Sequence, residues 1–247
     1  MALVIKSSDS DLSPPFSILR DYLQAESPPP PADIANRIDR YHEKGLEGEK
    51  KIPKEERDKL ELDPDGCYGP LWEIWIAFIV IVEQVPHDHP AQNRLINVIR
   101  GMRELPGRKV DLEGPISTDD AQKWRNVTSF LARCWGAEFF NASRQAVLLL
   151  CAALEEPVED TSALQQILPV ACEWIEHSQA AFTRIIESGA DEEGHHKRTG
   201  TLYEGPNKLC QERWQFWKGR FGELAGQAEG EAKDLALSCV LKMSSIS

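Results

Sequence analysis

GPLWEIWIAFIVIVEQV, Gly69 to Val85, reads two ways. Its isoleucines and valines suit a buried strand, and an almost wholly apolar run gives no periodicity to decide the matter. Its length and its start decide it. Seventeen residues exceed an ordinary strand of about five or six, and Gly-Pro suits a helix start, where the amide that proline lacks has no intrahelical partner anyway. The segment is predicted to be a helix, and because it is apolar nearly all round it is expected at the centre of a bundle. Val85-Pro86 ends it. HPAQNRLINVIRGMREL then resumes helical spacing through Leu95, Ile96, Ile99, Met102 and Leu105, giving an antiparallel partner.

Upstream, PPFSILRDYLQA repeats Ile18, Leu19, Tyr22 and Leu23 at helical spacing, and the prolines of SPPPP, Ser27 to Pro31, make a stiff spacer. ADIANRIDRYHEK sets Ile34, Ile38 and Tyr41 on one face, and charged residues 45–66 form a flexible connection with a short helix from Pro53. Downstream, PGRKVDLEGPIST is a loop that offers Ser117, Thr118 or Asp119 as a helix cap. A helical region follows from Asp120 to Glu155, with a break at Asn141-Ala142-Ser143. The next helix runs from about Thr161 to Ser178 or beyond, with a kink at Pro169. Residues 188–201 are an exposed loop, and a final helix from Gly230 to Met243 carries Leu235, Leu237, Val240 and Leu241. No stretch alternates with period two, so the fold class is all-α: one irregular multi-helix bundle with an extended N-terminal arm. Residues 1–65 are the arm and linker, and residues 66–247 the helical domain.

Composition limits function. Twenty-eight Lys and Arg against forty Asp and Glu give a formal charge of −12, with no basic cluster, which argues against nucleic acid and against anionic membrane surfaces as partners. The apolar stretch Ala2–Ile5 falls short of the roughly 7–15 residues of a secretory segment, so no signal peptide is expected. Ile74–Val82 falls short of the roughly 18 residues that span a bilayer. Six scattered cysteines fit neither a disulfide framework nor a zinc site and read as buried thiols of a cytoplasmic protein. No cofactor is implied.

The densest aromatic stretch is YEGPNKLCQERWQFWKGRF, Tyr203 to Phe221. From the Gly205-Pro206 turn onward, Cys210, Trp214, Trp217, Phe221 and Leu224 follow steps of four, three, four and three, which is one continuous helix face and reads first as a core seam. Arg213 beside it pairs with a carboxylate or stacks on a ring. Tyr203 either turns its hydroxyl inward or staples the start of the helix. Glu73, between Trp72 and Ile74, and Glu173, between Cys172 and Trp174, either reach solvent or are buried carboxylates able to act as acid or base. In VPHDHP, His87 and His89 lack a third metal ligand at local spacing, and Asp88 or His89 is expected to cap the helix that follows.

VPHDHPAQNRLINVIRGMRELPG, KWRNVTSFLARCW and YEGPNKLCQERWQFWKGRF together resemble a fungal family of intracellular, all-helical proteins of unknown function. His87, Asp88, His89, Pro90, Trp124, Asn126, Phe130, Arg133, Tyr203, Gly205, Pro206, Arg213, Trp214 and Trp217 carry the resemblance. It covers about residues 66–244 as one domain after a more variable arm. A tryptophan that members often carry in the loop before the long helix is missing from VDLEGPIST. The resemblance implies no reaction; it implies a setting beside fungal secondary-metabolite genes.

Two functions follow. One is a small-molecule-binding accessory protein or enzyme of secondary metabolism, holding an apolar or aromatic molecule among Trp72, Glu73, Trp75, Glu173, Trp174, Tyr203, Arg213 and Trp214, with Glu73, Glu173 or Arg213 as acid, base or charge partner. The other is a noncatalytic module whose partner is a protein. A pocket enclosed by Trp72, Trp75, Trp174 and Trp214 favours the first, and a filled core with an exposed apolar patch favours the second.

Overall fold

The computed structural model describes residues 3–6, 13–49, 51, 68–105, 120–158, 160–190 and 199–244. These form nine helices and no strand, so the chain is all-α among the described residues. In chain order they are α1 (Pro14–Gln24), α2 (Pro31–Glu49), α3 (Tyr68–Gln84), α4 (Ala91–Arg103), α5 (Ala121–Gly136), α6 (Ser143–Leu154), α7 (Thr161–Ser188), α8 (Gln211–Ala225) and α9 (Gly230–Met243). The chain divides into two compact units, Met1–Ser117 and Thr118–Ser247. This division differs from the boundary at residue 65 read from the sequence. The proposed helix from Pro53 and residues 191–198 of the expected loop lie outside the described residues.

In the first unit α1 and α2 are not an arm. Ser13 caps α1 by accepting the Phe16 amide, and Phe16, Leu19, Tyr22 and Leu23 bury one face of that helix, mainly against α3. Ile34, Ala35 and Ile38 of α2 are fully buried. Their face packs on α4 and, less extensively, on α3. This corrects the expected antiparallel pairing of α3 with α4: α2 is the neighbour that both share, and a sequence reading that assigns α2 to an arm cannot supply it. Arg94 donates to the Tyr22 and Leu23 carbonyls at 2.9 and 3.2 Å, satisfying acceptors left over at the end of α1.

α3 is not buried all round. Ile74, Trp75, Phe78, Ile81 and Val82 are buried, but Trp72 and Ile76 are 44% and 39% exposed. The turn after α3 takes the structural role expected of it, with His89 Nδ1 accepting the Ala91 amide at 3.1 Å.

In the second unit Asp120, one residue beyond the expected candidates, caps α5 by accepting the amides of Gln122 and Lys123. Asn141 accepts the Ser143 amide at the break before α6. α7 runs through Pro169 without a break and departs from helical geometry at Ser178 instead (φ −126°, ψ 17°). There the Ser178 hydroxyl donates to the Trp174 carbonyl at 2.7 Å. Gly136 of α5 crosses at this point, and a Cβ on it would lie 2.0 Å from the His177 carbonyl oxygen. A glycine is therefore required where the two helices meet.

α8 begins at Gln211, later than the Gly205-Pro206 turn suggests. α9 buries Ala232, Ala236, Cys239 and Met243 but leaves Leu237 and Leu241 exposed. Small side chains let its backbone lie close against α7 and α8.

Candidate functional site

The aromatic seam of α8 is core. Trp214, Trp217, Phe221 and Leu224 are fully buried and Cys210 is nearly so. The ring of Phe182 on α7 stands between them and the rest of the aromatic cluster, 5.4 Å from Trp214, 6.3 Å from Trp217 and 4.7 Å from Trp135, and Trp135 meets Trp174 edge-on at 6.0 Å. Edge-to-face contacts of this kind fill space as well as they attract. Trp174 and Trp214, two of the expected ligand residues, are thus enclosed in protein.

Arg213, one turn before Trp217 and on the same side of α8, enters a cluster that is equally closed. It and Glu155 are both wholly buried, with Arg213 Nε and Nη2 donating to the Glu155 carboxylate at 2.7 and 3.0 Å. Trp217 Nε1 and the Gly200 amide donate to the same carboxylate at 2.7 and 2.8 Å. Burial alone would raise the pKa of Glu155, but these hydrogen bonds and the arginine charge hold it below the ordinary glutamate value. Arg213 Nη2 also contacts Cys151 Sγ at 2.7 Å, and the guanidinium lies 5.3 Å from the ring centres of both Tyr203 and Trp217.

Tyr203 turns its hydroxyl inward toward Cys210 Sγ at 3.8 Å, and burial, followed by the contact with Cys210, raises its pKa. The Leu202 amide donates to the Glu155 carbonyl, and Gly200 approaches so closely that a Cβ would lie 2.4 Å from Glu155 Cβ. This network fastens residues 200–203 to the end of α6 and the start of α8. It leaves no surface of Arg213 or Glu155 for a ligand to reach.

Glu173 is likewise buried and paired. Arg125 Nε donates to it at 2.9 Å, and His177 Nε2 lies 3.3 Å from its other oxygen. Arg125 also bridges to Glu231 on α9 at 2.9 Å, so its guanidinium joins α5, α7 and α9. The described cysteines 134, 151, 172, 210 and 239 are free and buried, and burial pushes the thiols of Cys134 and Cys172 up.

The first unit offers a different kind of place. A groove of about 450 Å³ runs between α1 and α3, lined by Ser13, Phe16, Trp72, Glu73, Ile76, Ala77 and Val80. Trp72, Ile76 and Val80 follow steps of four and therefore stand in one row on α3. Glu73 is exposed beside them, and the Tyr41 hydroxyl of α2 donates to its Oε2. Burial, and then this hydrogen bond, pushes the Tyr41 pKa up to about 12, which keeps it a donor at neutral pH. Trp75, the remaining residue expected in a pocket, points into the core and is 4% exposed.

The eight expected residues therefore separate. Trp72 and Glu73 line the groove, Trp75 belongs to the core of the first unit, and Glu173, Trp174, Tyr203, Arg213 and Trp214 lie inside the second. Ser13, Phe16, Tyr41, Ile76 and Val80 were not among the expected site residues. The four-residue steps on α3 hinted only at Ile76 and Val80, a signal hidden by the nearly uniform apolar composition, and no local spacing announced Ser13, Phe16 or Tyr41. Among the described residues no group of three or more His, Cys, Asp or Glu is placed to hold a metal ion, and no helix is long and apolar enough to cross a membrane.

A family model described as "Protein of unknown function (DUF3632)" matches residues 75–221. The match extends over more than half of the chain, and the chain belongs to that family. No curated protein and no solved structure matches it.

Proposed function

Starting from membership of that family, we propose that the protein binds an apolar or aromatic small molecule in the groove between α1 and α3, as an accessory protein of secondary metabolism in the fungal cytoplasm. The observation that carries this reading is the row of exposed Trp72, exposed Ile76 and half-buried Val80 on a groove of about 450 Å³ that Phe16 also lines. That volume is in the range of roughly 300–1,000 Å³ usual for ligand sites. Large exposed apolar groups in a row cost solubility and are common where something is bound. The cellular setting rests on the family resemblance of the sequence. We assign no reaction: Arg213, Glu155 and Glu173 are committed to buried pairs, and only Glu73 remains of the expected acid–base residues at an exposed surface.

A second reading, a protein-interaction module, is favoured by one observation: Trp75 in the first unit and Trp135, Trp174, Trp214 and Trp217 in the second are packed into their cores, while Trp72 and Ile76 on α3 are open to solvent. An amphipathic helix fits such a groove as a small molecule does.

The test is a fluorescence titration with N-phenyl-1-naphthylamine, an uncharged dye that brightens in apolar surroundings. Saturable one-site enhancement is expected, lost in Ile76→Asp and in Trp72→Ala but kept in Leu241→Ser, which alters an exposed leucine elsewhere. Enhancement that survives both groove substitutions contradicts the reading. A protein that copurifies in fixed stoichiometry and is released by Ile76→Asp decides for the second reading.

A further inference from the structure

Given that the groove is a ligand site, we propose that its ligand is an organic cation: an aromatic or aliphatic body lying on Trp72, Ile76 and Val80, with a protonated amine on the Glu73 carboxylate. Glu73 is the one charged side chain among the described residues lining the groove. An anionic ligand would meet that charge with no basic group in the lining to offset it. A neutral ligand would cover the apolar row but withdraw water from the carboxylate without replacing its hydrogen bonds, which is costly. A protonated amine replaces them with charge-assisted ones.

Two further features favour a cation. The exposed indole of Trp72 stands one residue from Glu73, and an aromatic face attracts a cation as well as an apolar body. Tyr41 donates to Oε2, which restrains the carboxylate beside the groove. Tyr41 is therefore a positioning residue, acting on a ligand through Glu73. At longer range the formal charge of −12 raises the local concentration of cations.

Isothermal titration calorimetry with three indoles of similar size tests the inference: tryptamine (cationic), 3-ethylindole (neutral) and indole-3-propionate (anionic). The wild type is expected to bind tryptamine about fivefold more tightly than 3-ethylindole, the combined order of an exposed ion pair and an exposed cation–π contact. Indole-3-propionate is expected to bind more weakly than either. Glu73→Gln, an exposed substitution checked for fold by circular dichroism, is expected to erase the preference by weakening tryptamine, while 3-ethylindole, relieved of desolvating a carboxylate, binds no more weakly than before. Tyr41→Phe is expected to reduce it, and added salt to shrink it. Equal binding of tryptamine and 3-ethylindole by the wild type, or a preference that survives Glu73→Gln, overturns the cation inference and leaves the groove reading standing. Failure of all three indoles to bind, or binding unaffected by Trp72→Ala, removes both.

Discussion

The two units of this chain treat charge and oil in opposite ways. The second buries Arg125, Glu155, Glu173 and Arg213 within its helices, whereas Gln92 is the only polar or charged side chain buried among the described residues of the first. The first instead displays Trp72 and Ile76 on its surface beside a groove. Buried charges are costly unless fully paired, so they mark places where geometry is fixed. Exposed apolar rows are costly unless covered, so they mark places where something can be added. The aromatic wealth of the sequence therefore points away from the binding site: five of the seven tryptophans lie in the second unit, and four of them, Trp135, Trp174, Trp214 and Trp217, are buried in its core.

The strongest way to break this comparison is to unpair the second unit. Glu155→Ala strands Arg213 in the core and is expected to cost about 3–5 kcal/mol in urea denaturation followed by tryptophan fluorescence. Acid should do the same by degrees. The native carboxyl is held below its ordinary value of 4.5, so its stabilisation is complete above that pH and is lost as pH falls through the lower native value. Glu155→Gln is expected to flatten this acid limb of the stability profile. An unchanged limb would mean that Glu155 does not carry the acid sensitivity.

The crossing of α5 and α7 is the next most sensitive point. Gly136→Ala forces a methyl group against the His177 carbonyl and is expected to lower stability by about 1–3 kcal/mol in the same measurement. A neutral result would mean that the bend at Ser178 can open to admit it. At the other extreme, Trp72→Ala removes a large aromatic side chain and yet is expected to cost only about 1–2 kcal/mol, less than the roughly 3–5 kcal/mol of a fully buried tryptophan, because 44% of it already meets water. A loss of several kcal/mol there would show that Trp72 belongs to a core, and the contrast between the units would disappear.

Much of this was legible in the sequence, and the limits have physical causes. The steps of four and three from Cys210 to Leu224 define a helix face on their own, and that face is the core seam. The length of Gly69–Val85 was enough to choose helix over strand. Its exposed row was not legible, because a run of nearly uniform hydrophobicity carries no phase from which to tell the inner face from the outer. Nor does local spacing announce a partner for Arg213: Glu155 lies 58 residues away and Gly200 meets it from a loop.

Pro169 predicted a kink in the wrong place, since the bend follows the crossing at Gly136 and the serine back-bond at Ser178. In α9 the leucines do not mark the inner face, because close helix packing selects alanine and cysteine there and leaves Leu237 and Leu241 outside.

The most direct measurement is a ¹H–¹⁵N spectrum of the seven tryptophan indoles during titration with tryptamine, with Trp72→Phe identifying the resonance of Trp72. The account predicts that the Trp72 resonance moves and saturates while those of Trp174, Trp214 and Trp217 stay in place. Movement of the buried three with Trp72 unmoved would contradict it.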